Sequence, residues 1–139
     1  VNAQITEKCG FQGAVNWTHG RQVAKGESTT RPMAHIPPLF GRVAVDYEHR
    51  WWTLEGYVLF SAQKPSDQFG DYATDNLDLM LPSGSPSWWT LNVESEIQVH
   101  PSLSLRLGVR NALDMHYRVF ASGISAAGRG VYASLHASF

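Results

Sequence analysis

The sequence predicts an all-β chain, an antiparallel meander of about six strands, and three observations predict it. Apolar residues recur with a period of two rather than three or four. The alternating stretches are rich in β-branched and aromatic residues, and turn-forming segments divide them. In the first stretch Phe11, Gly13, Val15 and Trp17 face one way against Gln12, Ala14, Asn16 and Thr18. In the second Val43, Val45 and Tyr47 oppose Arg42, Ala44, Asp46 and Glu48. The third sets Trp52, Leu54, Gly56, Val58, Phe60 and Ala62 against Thr53, Glu55, Tyr57 and Ser61, with Leu59 the one intruder. Trp89, Leu91, Val93, Ile97 and Val99 then alternate with Thr90, Asn92, Glu94, Glu96 and Gln98. Leu103, Leu105, Leu107 and Val109 alternate with Ser102, Ser104, Arg106, Gly108 and Arg110. The sixth stretch, Arg129 to Phe139, alternates without a slip and puts Val131, Ala133, Leu135, Ala137 and Phe139 on one face. No strand puts a charge on the apolar row, so each has one dry face and one wet face.

Composition narrows the function classes. A net charge of -1 over 139 residues offers no basic field for phosphate contacts, which argues against a nucleic-acid partner. The single cysteine, Cys9, cannot close an internal disulfide or build a thiolate metal site. No apolar run is long enough for a spanning helix, although spanning strands never give that signal. The six histidines are scattered, without a metal-ligand pair at helical spacing, so no metal and no cofactor is expected. Gly123-Ile124-Ser125-Ala126-Ala127-Gly128 is one residue too long for a nucleophile elbow, and an enzyme is not expected.

The connections alternate between long and short. Gly20 to Phe40, Gln63 to Trp88 and Asn111 to Gly128 are long, whereas the turns around His49-Arg50 and His100-Pro101 are tight. In a meander that order gathers every long loop at one end, the asymmetry of outer-membrane barrels with long extracellular loops and short periplasmic turns. Trp51, Trp52, Trp88, Trp89, Tyr47 and Phe139 fall at strand ends, where rings suit a membrane interface. Residues 1–10 are the end of a preceding strand or a leader.

Two segments carry a family resemblance. Gly108-Val109-Arg110-Asn111-Ala112-Leu113-Asp114-Met115-His116-Tyr117, followed by Gly128-Arg129 and a last strand closing in Phe139, resembles the carboxy-terminus of TonB-dependent outer-membrane receptors. Ala112-Leu113 stands where that family usually has Leu-Phe. Upstream, His35-Ile36-Pro37-Pro38-Leu39-Phe40-Gly41-Arg42 is similar to the I-P-P-x-x-G segment leading into a strand of the same barrels. The resemblance implies that residues 11–139 are the last transmembrane strands of a twenty-two-stranded barrel, with the plug domain and TonB box absent. It implies a Gram-negative outer membrane and energised uptake of a scarce nutrient complex, of the ferric siderophore, haem or cobalamin class. The implied partners are outer-membrane lipid, the rest of the barrel and its plug, the barrel-assembly machinery, and TonB through the plug region alone.

Site residues follow from that picture. Asn111, Asp114, Tyr117, Gly128 and Arg129 are expected to anchor the last long loop, since Asn and Asp bond their own backbone and glycine relaxes the chain. Tyr132 and Phe139 are expected to carry the assembly signal, through an edge strand that pairs with another sheet. Cargo contacts are expected in the loops, at His116 and Arg118 and at Asp67, Phe69, Asp71, Tyr72 and Asp75. Asp46, Glu48, Glu55, Glu94, Glu96, Arg106 and Arg110 form a polar lining that faces the plug. The alternative is a soluble β-barrel or sandwich that binds a ligand, in which the apolar rows make an interior core.

Overall fold

The computed structural model describes residues 1–23, 28–70 and 81–138. Among these, eleven strands follow in order: β1 (Asn2–Gln4), β2 (Cys9–Asn16), β3 (Arg21–Val23), β4 (Thr30–Pro32), β5 (Phe40–His49), β6 (Trp52–Ser61), β7 (Lys64–Pro65), β8 (Gly84–Ser85), β9 (Trp88–His100), β10 (Leu103–Arg110) and β11 (Gly130–Ala137), with a single 3-10 turn at Ser66–Gln68. β1, β2, β5, β6, β9, β10 and β11 make one seven-stranded sheet in that order, antiparallel throughout. The pairs β3–β4 and β7–β8 are separate two-stranded ribbons inside the long loops.

Register joins the dry rows into one continuous surface. Val45 stands across from Phe11 on one side and Gly56 on the other. Gly56 then opposes Val93, Val93 opposes Val109, and Val109 opposes Val131. The neighbouring row is polar along the same path, through Gly10, Asp46, Glu55, Glu94, Gly108 and Tyr132. A one-residue slip in any ladder would turn a strand over and break both faces, so the pattern specifies the pairing.

Burial follows the opposite sense from a soluble sheet. The sheltered residues sit on the polar face, with Ala44 and Thr90 each 1% exposed, while Val131 and Leu135 on the dry face are 79% and 66% exposed. Among the described residues the buried hydrophobics are Ala44 and Phe69 alone, and no second layer packs on the dry face. Burying a side chain such as Val or Leu stabilises by about 1.5–3 kcal/mol. A water-soluble chain would forgo that gain across the whole dry surface.

The predicted strands are present with shifted ends, and the sheet holds seven strands where the alternation shows six. The added one, β1, is too short to display a period. β2 stops at Asn16, short of Trp17 and Thr18, because its last partner, Phe40, is where β5 begins. Trp17 instead stacks on His19, ring centroids 6.4 Å apart. β11 starts at Gly130, because the Arg129 N–H is used by Asp114 Oδ1 at 2.7 Å. Asp71, Tyr72, Asp75 and Phe139 lie outside the described residues.

Long and short connections segregate as expected. One end carries residues 5–8, the two-residue turn Arg50-Trp51, and Pro101-Ser102. In the first of these the Thr6 hydroxyl accepts from the backbone N–H of Lys8 and Cys9, at 3.3 and 3.0 Å. The other end carries the described residues of the three long connections, 17–23 with 28–39, 62–70 with 81–87, and 111–129.

Candidate functional site

The polar face of β5, β6, β9, β10 and β11 is an ionic lattice built by cross-strand register. Glu55 lies directly opposite Glu94, a like-charge pair that destabilises a ladder unless cations sit beside it. They do. Arg42 binds Glu55, and Arg106 reaches Glu94 at 3.3 Å and Glu96 at 2.8 Å. The Tyr132 hydroxyl donates to Glu94 as well, and its ring lies under the Arg110 guanidinium at 4.8 Å. Tyr132 takes this position because Gly108 faces it across the ladder and leaves no room for a Cβ there. Tyr132 therefore projects from the polar face, away from the exposed apolar row of β11.

Asn111 and Asp114 close the last long loop. Both adopt left-handed backbone, φ 50° and 55°, a region that asparagine and aspartate tolerate better than most residues. Asn111 is buried, and its amide donates to the carbonyls of Met115 at 2.9 Å and Ala127 at 3.3 Å while accepting from the Met115 N–H at 2.9 Å. Its own N–H donates to Asn92 Oδ1 at 2.9 Å, which ties the loop entrance to the neighbouring strand. Asp114 holds the loop exit through the Arg129 N–H. Gly128 is not in the left-handed region, and what it supplies is space, since a Cβ there would come 2.7 Å from Asp114 Oδ1.

The three long loops meet at one buried lysine. Lys64, 4% exposed, donates to the Ile36 carbonyl of the first loop and stands over the rings of Phe69, at 5.1 Å, and Phe120, at 4.4 Å. The two rings are 5.4 Å apart. Phe69, expected as an open loop residue, is instead buried in this cluster, whereas Asp67 is exposed in the 3-10 turn.

Beside the cluster, the loops enclose a cavity of about 380 Å³ whose wall includes Leu81, Pro86, Trp88, His116, Tyr117 and Arg118. The rings of Trp88 and Tyr117 are 4.2 Å apart at their centroids and tilted by 33°. The structure thus brings His116, Tyr117 and Arg118 together with Trp88, a residue the strand-end pattern assigns to the lipid interface. Parity corrects that placement. Trp89 pairs with Phe60 on the dry face, so Trp88, opposite Ser61, points to the polar side. At the short-turn end the rings do cluster on the dry side, with Trp52 5.4 Å from Tyr47 and 5.5 Å from His49.

Comparison with known proteins gives a fold and no family. No protein-family model matches the chain, and no curated protein matches its sequence. Among solved structures the chain is similar to the copper transporter OprC, with a TM-score of 0.81 and 19% identity over 99% of this chain and 22% of that one. The chain therefore spans about a fifth of the transporter it matches, and its antiparallel all-β sheet has the barrel-like fold of that stretch.

Proposed function

We propose that this chain is a section of the barrel wall of a TonB-dependent transporter in the outer membrane of a Gram-negative bacterium, and that it is a transporter part rather than an enzyme. One observation carries the reading: the continuous apolar surface of the sheet is an exposed face, while the most buried residues of the sheet, Ala44, Thr90, Asn92 and Ser104, lie on the opposite, polar face. Lipid supplies the partner that a dry, uncovered surface needs, and a hydrated lumen supplies the partner for the ionic lattice. Likeness of fold to the copper transporter OprC supports the same reading, as do the ordered motifs around Asn111 and Ile36. In this reading a plug packs against Glu94, Glu96, Arg106 and Arg110, TonB engages through the plug, and the edge of β11 pairs with the assembly machinery and then with the rest of the barrel.

The cargo in this reading is a scarce nutrient complex. The motifs favour the ferric siderophore, haem or cobalamin class, whereas the fold neighbour is named for copper. The ring-walled cavity between the second and third long loops favours a molecule with apolar surface over a bare ion for this part of the wall.

The test uses single-tryptophan variants of the chain in bilayers that contain lipids brominated along the acyl chain. Trp89 on the dry face should be quenched strongly and Trp88 weakly. Equal quenching of the two, or a cooperative water-soluble monomer by sedimentation and far-UV circular dichroism, would restore the soluble ligand-binding alternative.

A further inference from the structure

We infer that the tight turn Arg50-Trp51, with His49 and Trp52 at its base, binds the head of an anionic phospholipid. The inference rests on the transporter reading in one respect, that lipid reaches the dry face. Four rings gather at this turn. Besides the contacts of Trp52 with Tyr47 and His49, the Trp51 ring stands edge-on to His49 with centroids 5.9 Å apart, and lies 6.4 Å from Trp52. Indole and phenol rings suit the boundary between hydrocarbon and water, because the ring is apolar and its N–H or O–H is wet.

The turn also holds polar groups that the fold does not use. Arg50 is exposed and, among the described residues, has no ion pair and no side-chain hydrogen bond. Glu48, two residues before it, stands opposite Thr53 on the polar face and so points away. His49 Nδ1 is buried without a partner, which leaves Nε2 as the nitrogen able to meet a ligand. The other tight turns differ. His100 is engaged by its own turn, Nδ1 accepting from the Ser102 N–H at 3.3 Å, and in residues 5–8 Glu7 and Lys8 cancel. An arginine fork beside a ring N–H suits a phosphate.

The adjoining surface makes the ligand a lipid. Along the strands the same face continues from Tyr47 and Trp52 through the exposed Val45 and Leu54, so a molecule seated here needs an anion and hydrocarbon side by side. A phospholipid has both. Free phosphate would leave the rings and the dry row uncovered, and a zwitterionic head would set its own cation beside Arg50. The turn is also fixed in advance: the Trp51 carbonyl accepts from the Gln98 N–H of β9 at 2.8 Å, and His49 pairs with Trp52 at the ladder end. A preset site loses little on binding to ordering of its own chain.

The experiment titrates the full chain, in maltoside micelles with folding checked by circular dichroism, with short-chain phosphatidylglycerol, the matching phosphatidylcholine and inorganic phosphate. NMR of the indole N–H groups reads binding. Phosphatidylglycerol should bind about fivefold tighter than phosphatidylcholine, the value of one arginine at an anionic surface. It should shift Trp51 and leave Trp89, at the far end of the dry face, in place. Arg50→Gln should erase the preference with an unchanged circular dichroism spectrum. His49→Phe keeps a ring against Trp52 and should weaken both lipids about tenfold. Equal binding of the two lipids, an unchanged preference in Arg50→Gln, displacement of the lipid by equimolar inorganic phosphate, a Trp89 shift as large as that of Trp51, or no binding to the folded chain would each overturn the proposal. Bromolipid quenching reports the faces separately. Stronger quenching of Trp89 than of Trp88 together with equal lipid binding would sink the site and keep the transporter reading. Equal quenching with a phosphatidylglycerol preference that Arg50→Gln erases would keep the site and sink that reading.

Discussion

Replacing Asn111 by alanine tests the account of the last long loop most directly. The side chain makes three hydrogen bonds, to Met115 N–H, Met115 O and Ala127 O, from a buried position. Each is worth about 1 kcal/mol net, and a buried group left without a partner adds to that cost. Alanine must also hold a φ of 50°, where a Cβ costs roughly 1–2 kcal/mol. Together the loss is about 4 kcal/mol of unfolding free energy. Asn111→Gly gives up the same hydrogen bonds without the steric strain and should be about 1 kcal/mol less damaging than alanine. Urea titration in lipid vesicles measures both, and amide exchange reports the loop itself. The Met115 N–H should lose protection in either variant, whereas Ala112, whose N–H donates to Leu91 O at 2.8 Å, should keep most of its own. A loss below about 1 kcal/mol for Asn111→Ala, or equal losses for alanine and glycine, would refute the assignment of both terms.

Three further outcomes are expected. Val45→Arg on the dry face should destabilise the chain in vesicles by about 2–4 kcal/mol, while Ser134→Arg on the polar face should stay within about 1 kcal/mol; equal effects would contradict the assignment of faces. Lys64→Met fills the space but leaves the Ile36 carbonyl without its donor, so hydrogen exchange should speed up together in residues 33–39, 66–70 and 118–122. Faster exchange confined to one loop would show that the three are not coupled. Tyr132→Phe keeps the packing over Gly108 and removes the hydroxyl that Glu94 accepts from, for a loss of about 1–2 kcal/mol by urea titration. Gly108→Val should cost more, because the ring must leave its place.

The strands were legible because a period of two survives any tertiary detail. Val43, Val45 and Tyr47 or Leu103, Leu105 and Leu107 declare their face before a partner is known, and register then follows from keeping faces together. The elements that escaped are those too short to show a period: β1, with three residues, and the ribbons β3–β4 and β7–β8. The loop motif could be read at Asn111 and Asp114 because left-handed positions select few residue types. Trp88 was misplaced because two adjacent tryptophans at a strand end look alike in sequence, and only Ser61 opposite one and Phe60 opposite the other tells them apart. The Lys64 cluster had no local signal at all, since Ile36, Phe69 and Phe120 come from three loops.

That cluster also guards against an error that facial alternation cannot detect. A ladder displaced by two residues keeps every apolar side chain on the dry side, so hydrophobic patterning treats it as nearly correct. The displacement carries the loops about 7 Å along the strand, however. Lys64 would then be left among the rings without the Ile36 carbonyl, or Phe120 would be out of its reach. A buried ammonium group that loses a hydrogen-bond acceptor is costly. The three loops thus proofread the alignment of β5, β6, β9 and β10, a check that the strands alone do not supply.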